Sequence, residues 1–247
     1  MLAQLPEGFT TLVTGAGGGI GHAVVDALLA SPRPGRVIGV SRQTGTRPSD
    51  DRFEALNADL TTPEGLETLV SYLDGTTLHL TFNAIGMLHE ETLGIHPEKR
   101  LDDLDPEALA RLFHINATTP AMLLKALQPS LKGRHPGVVA SLSARVGSIE
   151  DNRLGGWYAY RASKAAHNML MRTAAVELRR LNSNLAVACL HPGTTDTPLS
   201  RPFQARVPEG KLFTPAFVAE QLLKVLEQCR PGEGASFHDW AGDPVAW

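Results

Sequence analysis

The stretch FTTLVTGAGGGIG, Phe9 to Gly21, is the most informative part of this chain. Thr10 to Val13 is a short β-branched and apolar run, the pattern of a buried strand. It passes directly into a turn holding Gly15, Gly17, Gly18, Gly19 and Gly21, after which Ile20, Val24, Ala27 and Leu28 recur at helical spacing. Glycines let a backbone approach a pyrophosphate closely, and the unpaired N–H groups and dipole of a helix N-terminus favour its charge. Strand, glycine turn and helix together predict a dinucleotide site; a tight connection that binds nothing is the alternative.

Outward from the turn, strand and helix patterns alternate along the chain. SPRPG (Ser31 to Gly35) ends the first helix, and Arg36 to Val40 supplies a second strand that completes a βαβ unit. A polar, turn-rich segment from Gln43 to Asp51 precedes a third strand at Phe53 to Ala58 and a proline-opened helix at Pro63 to Leu73. Leu78 to Phe82 reads as a fourth strand, and Met87 to Asp105 as a long loop that either folds over a site or is plain surface. The helical pattern from Pro106 to Leu131 carries Pro120 and Pro129, which predict a kink or an early end. A strand at Gly137 to Leu142, a helix at Tyr158 to Leu181, a strand at Leu185 to Leu190, a helix at Pro215 to Gln228 and a short strand at Ala235 to Phe237 complete the series. This alternation predicts a single α/β domain over 1–247. Its architecture is a doubly wound, Rossmann-type parallel sheet of about seven strands with helices on both faces. Ligands of such a sheet bind at the carboxyl ends of the strands.

With 247 residues, 43% of them hydrophobic, and a formal net charge of −3, the chain can build one large core and has no basic excess. A nucleic-acid partner is therefore not expected. Cys189 and Cys229, its two cysteines, offer neither a disulfide framework nor zinc spacing. With no signal-like N-terminus and no apolar run of spanning length, the expectation is a soluble cytoplasmic protein without a membrane partner. His167 and His191 have no ligand-spaced companions, so no metal is expected.

Tyr160 and Lys164 carry the sharpest chemical signal. On a helix, positions i and i+4 share a face, so this phenol and this ammonium can approach each other. A phenol with the ordinary pKa of about 10 is a poor acid at neutral pH, and a cation within about 4 to 6 Å lowers it. An exposed tyrosine beside a solvated lysine is the plain alternative. The pair follows the fifth strand, on the same carboxyl edge as the glycine turn.

Thr14 to Gly21 (TGAGGGIG) and Tyr160 to Lys164 (YRASK) resemble the T-G-x-x-x-G-I-G and Y-x-x-x-K motifs of the short-chain dehydrogenase/reductases, and the resemblance extends over essentially the whole chain. It implies a cofactor site built from Thr14, Gly15, Gly17, Gly18, Gly19, Ile20 and Gly21. Asp59 and Leu60 would lie near the adenine, and Asn83, Ala84, Ile85 and Gly86 would match the family's N-A-G segment, with Ile85 in place of a small residue. Pro192, Gly193, Thr195 and Thr197 would lie beside the nicotinamide. It further implies Tyr160 as the proton donor, Lys164 as the group that lowers its pKa and holds the nicotinamide ribose, and Asn116 as the holder of a relay water. The family places a carbonyl-orienting serine about a dozen residues before the tyrosine. Ser141, Ser143 and Ser148 are the candidates, and Ser143 is the choice; an alignment tightened on Gly147 puts Ala144 in that position instead.

ARVGSIEDNRLGGWYAYRASKAAHN also resembles a subgroup of C-factor-like proteins and small carbonyl reductases. This implies a carbonyl or alcohol substrate and a homo-oligomer, dimer or tetramer, with NADP(H)-linked regulation or signalling as the alternative function. The substrate loop is expected at 194–211, with Trp157, Leu154 and Met87 as wall residues. The second strand ends in Ser41 and Arg42 where an NAD site carries an acid, and a hydroxyl and a guanidinium suit a ribose phosphate, so NADP(H) is favoured over NAD(H). Arg47 lies nearby without implying specificity. The aromatic tail HDWAGDPVAW either covers a neighbouring site or subunit or caps its own surface.

Overall fold

The computed structural model describes residues 1–43, 48–232 and 234–247; Arg47 lies outside them. The opening strand is β1 (Phe9–Thr14), and the glycine turn leads into α1 (Gly19–Leu29). Next come β2 (Pro34–Ser41), β3 (Phe53–Asn57), α2 (Pro63–Leu73) and β4 (Leu80–Asn83). A long connection leads to α3 (Pro106–Phe113), α4 (Thr119–Leu131), β5 (Gly137–Leu142), α5 (Tyr158–Leu181) and β6 (Leu185–His191). The short strands β7 (Thr194–Thr195) and β8 (Leu212–Phe213), then α6 (Pro215–Gln228) and β9 (Ser236–Asp239), close the fold.

Seven strands form one parallel sheet in the order β3-β2-β1-β4-β5-β6-β9, the expected doubly wound Rossmann-type arrangement, while β7 pairs with β8. Along β6, Ala186, Ala188 and Leu190 join the core beneath α1 and α6, and Leu185, Val187 and Cys189 join the core beneath α2, α4 and α5. A strand buried on both faces needs no polar alternation, which is why its sequence is one apolar run. The order reverses between β1 and β4, whose carboxyl ends Thr14 and Asn83 are paired in register. Connections leave this point in opposite directions and open a crevice there.

The helix expected over 106–131 is two helices. His114–Thr118 widens into a π-type turn, in which the backbone N–H and the hydroxyl of Thr119 both donate to the His114 carbonyl five residues back. Pro120 has no N–H to give, and the wide turn absorbs that missing bond. The turn also buries Asn116 completely. The 194–211 segment is more ordered than a loop, with a 3-10 turn at Arg201–Arg206 between the two short strands. The aromatic tail folds onto its own chain: the Trp247 carbonyl accepts the Ile149 N–H at 3.1 Å, and its ring lies 5.4 Å from Phe237. No helix among the described residues is long and apolar enough to cross a membrane.

Candidate active site

The glycine turn is packed tightly against the end of β4. Gly15 has a φ of +73°, and a Cβ added there would lie 2.9 Å from the Ala84 carbonyl carbon; one added at Gly21 would lie 2.2 Å from the Gly15 oxygen. Side chains are thus excluded by the backbone itself. Gly18 caps α1 without a side-chain acceptor, and the first turn holds no acid, so the N–H groups there remain available to an anion.

A single cavity of about 1110 Å³ runs from this turn to the start of α5. It is lined by Gly17 to Gly21, Arg42, Ala84 to Gly86, Ser143, Tyr160, Lys164, Pro192, Gly193, Thr195 and Thr197, and so gathers most of the expected residues. The remaining ones are not part of its lining. The Thr14 hydroxyl donates to Asn83 Oδ1 at 2.7 Å, and Ser41 donates to the Gln43 carbonyl at 2.6 Å. Leu60 belongs to the core beneath α2. Asp59 accepts from the N–H and hydroxyl of Thr61; burial would raise its pKa, but these bonds and the nearby charges of Arg42 and Arg111 hold it low. Of the expected substrate wall, Trp157 and Leu154 line the cavity, whereas Leu88 stands there in place of Met87.

Tyr160 and Lys164 share the first turns of α5 as the i, i+4 spacing requires, with Lys164 Nζ 5.9 Å from the centre of the phenol ring. The expected lowering of the phenol pKa is not what this arrangement produces. Burial raises it above its ordinary value, while burial lowers Lys164 to about 8. The ammonium is directed to the Leu142 carbonyl at 2.9 Å and not to the phenol, so desolvation dominates both groups. A neutral phenol is the proton-donating form.

Asn116 clamps the start of the 87–105 segment: its Oδ1 accepts the Met87 N–H and its Nδ2 donates to the Met87 carbonyl, both at 2.8 Å. Nδ2 also lies 3.0 Å from the Ser163 hydroxyl. A Cβ added at Gly86 would lie 3.5 Å from Lys164 Nζ and 3.6 Å from Asn116 Oδ1, so these groups converge on Gly86. Further along the same segment, Glu98 is buried; its carbonyl accepts the Trp157 N–H and its Oε2 accepts the Ala159 N–H at 3.2 Å. The segment read as a loop therefore fastens the N-terminus of α5, where Trp157 takes a left-handed conformation with φ of 52°. Nothing in the charged sequence around Glu98 marks this role.

Beneath the cavity a buried chain of polar groups crosses the sheet. Asn83 Nδ2 donates to Ser141 Oγ at 2.9 Å, Ser141 Oγ lies 2.8 Å from His167 Nε2, and Ser143 Oγ donates to Asn168 Oδ1 at 2.6 Å. Ser143 thus lines the cavity with its hydroxyl turned towards α5, and Ala144 packs in the apolar cluster that contains Tyr160. His167 and Asn168 follow Lys164 at helical spacing, a signal the sequence offered. Ser148 is drawn away to the Trp247 carbonyl at 3.3 Å.

The short chain dehydrogenase family profile matches residues 10–207. The chain is 29% identical to the 1-hydroxy-2-glutathionyl-2-methyl-3-butene dehydrogenase of Rhodococcus sp. strain AD45, over 96% of this chain and 99% of that one. It is 35% identical to the C-signal protein of Myxococcus xanthus over 60% of this chain and 83% of that one. A Burkholderia multivorans crystal structure assigned to the short-chain dehydrogenase/reductases, with bound NADP, superposes with a TM-score of 0.79 at 25% identity, covering 97% of this chain and 99% of that one.

Proposed function

The chain belongs to the short-chain dehydrogenase/reductase family of oxidoreductases, and we propose that it is an NADP(H)-dependent reductase of an aldehyde or ketone, acting through Tyr160. The observation that carries this reading is the single cavity in which the glycine turn, Arg42, Lys164 and Tyr160 meet. The uncapped start of α1 suits a pyrophosphate, and Arg42 at the end of β2 suits a ribose phosphate. When bound, the nicotinamide supplies or accepts the hydride.

In this reading Tyr160, neutral because it is buried, gives its proton to the oxygen of the reduced carbonyl. Lys164, at the base of the same cavity, holds the nicotinamide ribose and stabilises the phenolate left behind. Ser143 turns its one hydroxyl hydrogen from Asn168 to the carbonyl oxygen, and Asn116 holds Met87, the residue after Gly86, in place. Residues 194–211 cover the substrate. A homo-oligomer and a cytoplasmic location complete the proposal.

NADPH oxidation, followed by absorbance across a panel of aldehydes and ketones, tests it: turnover abolished by Tyr160→Phe supports the enzyme. Tight NADPH binding with no turnover on any substrate would favour a second reading, an NADP(H)-binding regulatory protein. The likeness to the C-signal protein and the Ala144 methyl packed with Tyr160 are the observations behind that alternative.

A further inference from the structure

The lining of the cavity has a charge pattern that a carbonyl reduction does not itself require. Among the described residues Arg42, Lys99, Arg145, Lys164, Arg206 and Lys211 line it and no Asp or Glu does, although the chain carries 26 acidic residues against 23 Lys and Arg. Three of these cations have identifiable partners or places. Lys164 donates to the Leu142 carbonyl, Arg145 pairs with Asp239 at 3.0 Å and Asp151 at 3.5 Å, and Arg42 stands at the glycine-turn end beside Asp59.

Lys99, Arg206 and Lys211 remain. They come from two separate segments, the one after β4 and the one between β7 and β8, and both segments reach the same cavity. None of the three is ion-paired among the described residues. Of the carboxylates close to Lys99 in sequence, Glu98 accepts the Ala159 N–H, Asp102 is exposed with no ion pair to Lys99, and Asp103 accepts the backbone N–H groups of Lys99 and Arg100 and pairs with the Arg100 side chain. Glu209, two residues before Lys211, is exposed and outside the lining. Beside the phenol the same lining carries an apolar cluster: Trp157 lies 5.1 Å from Phe203 and 6.2 Å from Tyr160, ring centre to ring centre, with Val146 and Leu199 in that cluster.

A cleft lined by charge of one sign with apolar walls focuses its field on an entering ligand. We propose, building on the reductase reading, that the substrate is a carbonyl compound whose apolar body ends in a carboxylate, held by Lys99, Arg206 and Lys211 while the carbonyl rests on Tyr160. Exposed cations of this kind act mainly on capture, so the preference appears in KM and weakens with salt.

The test pairs aromatic or branched aliphatic oxo acids with their methyl esters as substrates, with NADPH, for the wild type and for the Lys99→Gln, Arg206→Gln, Lys211→Gln triple variant. The expected result is a carboxylate-over-ester ratio in kcat/KM of about tenfold or more at low salt, falling as salt rises and collapsing towards one in the triple variant. Esters used as well as acids would overturn the proposal, as would a triple variant that raises the KM for NADPH and leaves the acid-to-ester ratio intact, since the cations would then serve the cofactor. Calorimetric binding of the acid and its ester to the NADP⁺-loaded protein gives a readout without turnover. Acid-selective binding that the triple variant loses, with no turnover of any carbonyl, would sustain the anionic ligand and sink the reductase reading; equal binding of acid and ester would sink the anionic ligand alone.

Discussion

Ser143 Oγ donates to Asn168 Oδ1 across 2.6 Å, with both residues buried. The hydroxyl has one hydrogen, so it serves the α5 asparagine or a substrate carbonyl but not both at once. Ser143→Ala is expected to lower Tm, because Asn168 Oδ1 loses its short bond and keeps only the 3.5 Å contact with His167 Nδ1, at a cost of about 1–3 kcal/mol. It is also expected to lower kcat by roughly tenfold or more if the hydroxyl turns to substrate. Thermal unfolding and steady-state rates on one preparation separate the two effects, and a fall in Tm with kcat intact assigns the hydroxyl to Asn168 alone.

Glu98 ties the 87–105 segment to the N–H of Ala159, the residue before Tyr160. A carboxylate at a helix N-terminus is favoured by the dipole as well as by the hydrogen bond. Glu98→Ala is expected to cost about 1–3 kcal/mol of stability and to reduce kcat more than it raises KM, because α5 is then free to shift its tyrosine. Glu98→Gln retains an acceptor and should restore most of kcat; failure of that rescue, with Tm restored, would assign Glu98 a different part.

Gly18 and Gly21 distinguish packing from ligand approach. A Cβ at Gly18 meets only the Gly15 oxygen, at 3.4 Å, whereas one at Gly21 lies 2.2 Å from that same atom. Gly18→Ala is expected to change stability by no more than about 1 kcal/mol, while weakening NADPH binding about tenfold where the backbone approaches the pyrophosphate. Gly21→Ala is expected to lower Tm strongly. Unfolding curves and fluorescence titration with NADPH read both.

His167 is fully buried, and burial, followed by the charge of Lys164, lowers its pKa from 6.5 to about 3. Below pH 6.5 the unfolded chain takes up a proton that the folded chain refuses, so stability is full above that pH and declines as pH falls towards 3. The loss from this residue is about 3 kcal/mol by pH 4, at about 1.4 kcal/mol per pH unit. Denaturant midpoints measured across this range should fall less steeply for His167→Leu than for the wild type, whatever the absolute stability of the variant.

Arg42 is exposed at the end of β2 and lines the cavity. Arg42→Ala is expected to raise the KM for NADPH about tenfold and to leave that for NADH nearly as it was. Equal effects on both coenzymes would remove the phosphate from its role.

The glycine turn, the alternation of strands and helices, and the Tyr160 to Lys164 spacing were readable because each rests on local rules. A βαβ unit, a strand buried on both faces and an i, i+4 pair are all written within a few residues. The break of the 106–131 helix was half readable: Pro120 announced an interruption, but not the wide turn that carries Asn116 to Met87. The ties of Glu98 to Trp157 and Ala159, and the path from Asn83 through Ser141 to His167, join residues far apart in the chain. No spacing records them.

The sequence by itself determined the sheet, its carboxyl edge and the residue types gathered there, because hydrophobic period and glycine sterics act locally. Only the tertiary structure decided the state of those residues. Burial holds the Tyr160 phenol neutral, Lys164 is directed to the Leu142 carbonyl, and Ser143 to Asn168. Desolvation and hydrogen-bond partners are properties of the packed interior, and they exist only once distant segments have been brought together.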